Sequence, residues 1–98
     1  MRLVIAAPAN GAILKDALKA HLQNDPRVSG LVDLSSSDGT YPQLSFAAAQ
    51  EVAAGRADRA ILICGTGVGT AIAANKVRGI RAATAHDLLT VRGSVENY

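Results

Sequence analysis

The chain has 98 residues, of which 49% are apolar and 3% aromatic, with a net charge of +2 and one cysteine. That length holds one domain over residues 1–98, with a core of Ala, Val, Leu and Ile that is marginal enough to favour a second copy or a longer chain. The lone cysteine excludes an internal disulfide or a Cys-rich metal site and fits a reduced, cytoplasmic setting, the scattered Lys and Arg give no nucleic-acid footprint, and no run nears the roughly 18 apolar residues that span a membrane.

Arg2 to Ala7 is a short apolar run closed by Pro8-Ala9-Asn10-Gly11, which predicts a buried strand and a turn rather than a signal segment. Leu14, Ala17, Leu18, His21 and Leu22 repeat at helical spacing and place His21 on the apolar face as a structural residue. That helix ends before Asn24-Asp25-Pro26. Val28 to Leu34 predicts a second strand, and Ser35 to Gly39 a polar loop. Pro42 suits the first position of a helix that carries Leu44, Ala47, Ala48 and Val52 to Gly55, a residue of the C′ type. Ala60 to Cys64 is apolar on both faces, as a central parallel strand would be. Gly65-Thr66-Gly67-Val68-Gly69 follows, then an alanine-rich helix over Thr70 to Lys76. Gly79 closes the turn, Ile80 to Ala85 predicts a fourth strand, and His86-Asp87 opens a fourth helix. The alternation implies an α/β fold: a three-layer α/β/α, Rossmann-like parallel sheet with right-handed crossovers.

In such a sheet, ligands bind beyond the carboxyl ends of the strands. Gly65, Gly67 and Gly69 let the backbone turn tightly and expose N–H groups at a helix start, which is an anion site suited to phosphate, with Thr66 and Thr70 as added donors. The same residues also suit a tight turn without a ligand. The dinucleotide fingerprint needs G-x-G-x-x-G after the first strand; here G-x-G-x-G follows the third, although Asp87 lies roughly 20 residues on. No Gly-Lys-Ser/Thr makes a Walker loop. Cys64 beside converging N–H groups would have its thiolate favoured and could take a proton from a carbon next to a carbonyl, or it is a buried structural cysteine. Tyr41 either meets a sugar hydroxyl or packs. Asp87 either exchanges protons beside His86 or caps a helix.

The block Ile61 to Gly69, followed by Ile72-Ala73-Ala74-Asn75-Lys76 and Gly79-Ile80-Arg81-Ala82, resembles the signature of the ribose-5-phosphate isomerase B and galactose-6-phosphate isomerase family. Gly11 with Leu14-Lys15 and Tyr41-Pro42 extend the likeness over the chain. The resemblance implies cofactor-free aldose–ketose isomerisation of a phosphorylated sugar. It makes Cys64 the base between C1 and C2, and the loop with Thr66 the stabiliser of the enediolate oxygens. Tyr41, Gly65, Gly67, Gly69 and Thr70 are the expected substrate-binding set. The family's sites lie between two subunits, so a homodimer or homotetramer is implied.

Departures from the pattern are equally specific. Pro8 and Ala9 stand where the family carries an Asp-His pair, Thr40 where an Asp precedes Tyr-Pro, and Asn97 where its ring-opening histidine falls. The family continues past the position of Tyr98 with a strand and a long helix whose arginines bind the substrate phosphate, so the chain reads as truncated relative to it. Two functions are therefore weighed: an isomerase of a pentose, tetrose or hexose phosphate, and a non-catalytic phosphosugar- or phosphate-binding module on the same fold. Nucleotide binding at the same loop is a weaker third reading.

Overall fold

The computed structural model describes residues 1–36 and 39–97. Three parallel strands form a sheet in the order β2-β1-β3, with β1 spanning Arg2–Ala6, β2 Gly30–Asp33 and β3 Arg59–Leu62. Register runs from Arg2 opposite Gly30 to Ile5 opposite Asp33 on one side, and from Leu3 opposite Arg59 to Ala6 opposite Leu62 on the other. The expected α/β class and parallel sheet are present, but β1 rather than β3 is the central strand. β1 accordingly buries Leu3, Val4, Ile5 and Ala6, while β3 is only partly buried.

Alternation along β1 sends successive side chains to opposite faces. Val4 packs with Ala48, Ala57, Val52 and Leu62 under α2 (Tyr41–Ala53). Ile5 packs with Ala7, Ile63, Leu18 and Ile61 on the face covered by α1 (Ala12–Gln23). This is the three-layer arrangement. The short helix α3, Val68–Asn75, then packs on α2 through small residues, burying Ala73 and Ala74.

Local chemistry sets the ends. The Ala7 N–H donates to Ser35 Oγ at 2.9 Å instead of to the ladder, so β1 stops at Ala6 and not Ala7. Asp33 closes β2: its Oδ1 accepts the Ser35 N–H at 2.8 Å and its Oδ2 meets Lys15 and Lys19 of α1, both at 3.0 Å. β2 is thus shorter than the Val28 to Leu34 expected. Thr40 is the N-cap of α2, with Gln43 Oε1 accepting the Thr40 N–H at 3.2 Å, so Pro42 is the second helical residue and Tyr41 the first. His21 is exposed, contrary to its predicted place on the buried face, and no residue of α1 is fully buried. Two loop positions predicted between Ser35 and Gly39, Ser37 and Asp38, lie outside the described residues.

The predicted fourth strand does not form among the described residues. Residues 80–86 have no assigned secondary structure, and a side chain takes the bonds a ladder would use. Asn75 Nδ2 donates to the Ala82 carbonyl at 2.8 Å, and the Ala82 N–H donates to Asn75 Oδ1 at 2.6 Å. Helix α4, Leu88–Asn97, begins after Asp87, whose Oδ1 accepts the Thr90 N–H at 2.8 Å. The capping role for Asp87 is therefore the one realised.

Candidate functional site

The site grows from the carboxyl end of β3. The Ile63 N–H still donates to the Ala6 carbonyl at 3.1 Å, so the chain is held to the sheet up to the residue before Cys64. It then turns away at Gly67, which has a φ of 80°. An L side chain is disfavoured in that conformation. The crossing also brings Thr84 Cγ2 within 3.0 Å of where a Cβ would stand. α3 starts at Val68, two residues earlier than predicted, so the loop is short and its N–H groups converge at the positive end of the helix.

Cys64 Sγ lies inside this turn. It accepts the Gly67 N–H at 3.0 Å and stands 3.6 Å from the hydroxyl of buried Thr70. Burial, the largest single influence, pushes the thiol up. The Thr70 hydroxyl and the N–H groups of Gly67, Thr66 and Thr70 together outweigh it and hold the thiol below its ordinary value. Thr66 is exposed, and its Oγ1 accepts the Val68 N–H at 3.3 Å. Gly65 is exposed as well.

Tyr41 reaches the loop from α2. Its ring fills the space a side chain on Gly69 would need, with Cε1 2.6 Å from that Cβ position. Tyr41 and Gly69 line a shallow concavity of about 170 Å³ that Ile72 and Lys76 complete. A second, of about 270 Å³, opens at the ends of β1 and β2 beside Ala9, Lys15 and Ser36. Cys64 lines neither. Pro8 and Ala9 offer no acid, base or charge where they stand.

The structure thus brings Cys64, Gly67 and Thr70 together and sets Tyr41 against Gly69. Two further residues were not predicted. The Asn10 amide nitrogen lies 3.6 Å from the Cβ position of Gly65. Thr84 Oγ1 donates to the Gly67 carbonyl at 3.1 Å. Asn10 was within the first candidate turn but carried no motif of its own, and Thr84 is brought in from 17 residues away by tertiary structure.

The profile of the Ribose/Galactose Isomerase family matches residues 3–98. The chain belongs to this family. It is 48% identical over 99 residues to D-erythrulose-4-phosphate isomerase 2 of Mycolicibacterium smegmatis, covering 97% of this chain and 65% of that one. It is 48% identical over 73 residues to ribose-5-phosphate isomerase B of Escherichia coli, covering 74% of this chain and 49% of that one. Ribose-5-phosphate isomerase B of Clostridium thermocellum superposes with a TM-score of 0.88 at 36% identity, over 98% of this chain and 66% of that structure. The chain of this Ribose/Galactose Isomerase family member therefore spans no more than about two thirds of the length of these relatives.

Proposed function

We propose that the chain carries the proton-transfer half of an aldose–ketose isomerase site acting on a phosphorylated sugar. The observation that carries this is the thiol of Cys64 held by the Gly67 N–H and the Thr70 hydroxyl at the start of α3. A thiolate so placed takes the proton from the carbon beside the substrate carbonyl, and the electron pair moves onto the carbonyl oxygen to give an enediolate. Return of that proton to the neighbouring carbon, with the oxygens exchanging theirs, completes the isomerisation. The Thr66 hydroxyl, and those loop N–H groups not already given to the Cys64 sulfur or to Thr66 itself, are the donors offered to the developing oxyanion, where fixed donors act without reorganisation. Tyr41 and Asn10 line the approach to the loop. No step calls for a cofactor.

An open-chain tetrose phosphate is the substrate this sequence suits best, ahead of ribose 5-phosphate or a hexose phosphate. A tetrose phosphorylated at its last carbon has no free hydroxyl placed to close a five-membered ring, so it needs no ring-opening acid. Asn97 stands where the family resemblance puts that acid, and the relative that is 48% identical over 99 residues is named a D-erythrulose-4-phosphate isomerase. Neither concavity is lined by Cys64, which supports a site walled by residues from a second copy in a homodimer or homotetramer. A free thiol at the site suits a cytoplasmic setting.

Solvent deuterium exchange at C1 and C2 of erythrulose 4-phosphate, ribose 5-phosphate and a hexose phosphate tests this reading. Exchange that is fastest with the tetrulose phosphate and falls at least a hundredfold in Cys64→Ala is expected, the range typical of a lost general base being roughly 10²–10⁴. Saturable phosphosugar binding without exchange would instead make the chain a binding module.

A further inference from the structure

Three donors converge on the carbonyl oxygen of Gly67. The Ala71 N–H reaches it at 3.2 Å as the first bond of α3, the Thr70 hydroxyl at 2.9 Å and the Thr84 hydroxyl at 3.1 Å. A carbonyl oxygen has two lone pairs, and a threonine hydroxyl has one proton to give. The oxygen is therefore oversupplied, and one donor competes at a disadvantage. Ala71 cannot withdraw without undoing the helix start. Thr84 has no second acceptor among its described hydrogen bonds. Thr70 alone has an alternative: Cys64 Sγ stands 3.6 Å from its oxygen, within reach of a simple turn of the O–H bond.

We propose that Thr84 is a positioning residue for Cys64: by occupying the Gly67 carbonyl, it releases the Thr70 hydroxyl proton to the sulfur when the thiol ionises. The proposal rests on the reading of Cys64 as the base and names the residue that readies it. The relay needs no heavy atom to move. With the thiol protonated, the S–H can donate to Thr70 Oγ1 while Thr70 shares the Gly67 carbonyl. With the thiolate formed, the Thr70 O–H turns to the sulfur, and Ala71 and Thr84 keep both lone pairs of the carbonyl filled. Removing the Thr84 hydroxyl leaves a vacant lone pair that holds the Thr70 proton away from the thiolate. The strongest influences on the sulfur besides burial are neutral hydroxyl and N–H donors, so the orientation of one hydroxyl proton carries weight.

The test is the pH dependence of Cys64 alkylation by iodoacetamide, read on the only cysteine in the sequence. Thr84→Val is expected to raise the midpoint of the alkylation profile by about half to one pH unit, a roughly three- to tenfold slowing near neutral pH. Thr84→Ser should restore the wild-type profile. In a Thr70→Val background, Thr84→Val should change nothing further, because its effect passes through the Thr70 hydroxyl. Circular dichroism checks that each variant is folded, and Thr84→Ala replaces Thr84→Val if valine is not accommodated. An unchanged profile in the folded Thr84 variant, or an equal effect with and without the Thr70 hydroxyl, overturns the proposal. Alkylation requires no substrate, so a thiol that responds as expected in a chain that exchanges no sugar proton would sink the isomerase reading and leave this one standing. Exchange that proceeds with an alkylation profile indifferent to Thr84 would do the reverse.

Discussion

Cys64 is held between opposing influences, burial against it ionising and a ring of short donors in favour, and the donors prevail. The sign for activity follows directly. The thiolate is the reactive form, so exchange should rise with pH through the Cys64 titration and level off at a lower pH than a free thiol, near 8.5, would allow. Initial rates of tetrulose-phosphate isomerisation from pH 5 to 9 are the measurement, and a rate still climbing steeply above pH 8.5 would contradict the favoured thiolate. Stability follows the same sign. Because the folded-state value lies below the unfolded one, Cys64 adds stability fully present above the unfolded thiol value, which declines as pH falls through the folded value. Sequence made the thiol and its loop readable because they are contiguous: strand, cysteine and three alternating glycines leave few other conformations. Thr84 was invisible for the opposite reason, and Asn10, though inside the candidate turn Pro8 to Gly11, could not be singled out. Each reaches the loop from a distant segment, and nothing in Thr-Ala-His-Asp or Pro-Ala-Asn-Gly says where it will arrive.

Strand and helix ends depend on side-chain bonds more than on apolar runs. Asp33 shows this well. Burial pushes its carboxyl up, but the Ser35 bonds and the two lysines of α1 hold it well below the usual carboxylate range. It therefore joins β2 to α1 and fixes the turn that follows. Asp33→Asn is expected to cost about 1–2 kcal/mol at neutral pH, since hydrogen bonds to a charged group are lost from a mostly covered site. The lowered value sets the window: the contribution is whole above the unfolded carboxylate value of about 3.9 and disappears as pH falls through the folded one. Urea denaturation at pH 7 and pH 3 should show the gap between wild type and Asp33→Asn only beginning to narrow at the lower pH, because the folded carboxylate is still ionised there. The missed fourth strand has a similar origin. Ile80 to Ala85 has the composition of a strand, yet the Asn75 amide supplies both partners of Ala82. Periodicity reports which face is apolar and is silent on what a polar side chain seven residues away will do.

The fold as a whole is organised about β1, which serves both core layers at once. Ile5 is completely buried and lies in the α1-side cluster, next to Val4 in the α2-side cluster. Ile5→Ala is expected to destabilise the chain by about 2–5 kcal/mol, most of what a domain this small has to spare. A chemical-denaturation midpoint compared with wild type would measure it, and a change under about 1 kcal/mol would mean the two layers are less dependent on the strand than its burial indicates. Parallel order and helices on both faces were legible from the βα alternation. The choice of β1 as the middle strand was not, since Ala60 to Cys64 read as the central strand from its apolar faces and the pairing order places β1 there instead.

The opposite end of the sheet has a character of its own. The Arg2 N–H and guanidinium both engage the Asp58 carboxylate, at 2.6 Å and 3.1 Å, while the Asp58 N–H returns to the Arg2 carbonyl at 2.8 Å. β1 and β3 are pinned there where they begin, about 20 Å of extended chain away from Cys64. The thiol end is made of glycines and hydroxyls, and the pinned end is ionic. That polarity gives the experimentalist a handle: a dye, spin label or surface linker attached around Asp58 sits at the end of the sheet opposite Cys64 and leaves the approach to the thiol clear.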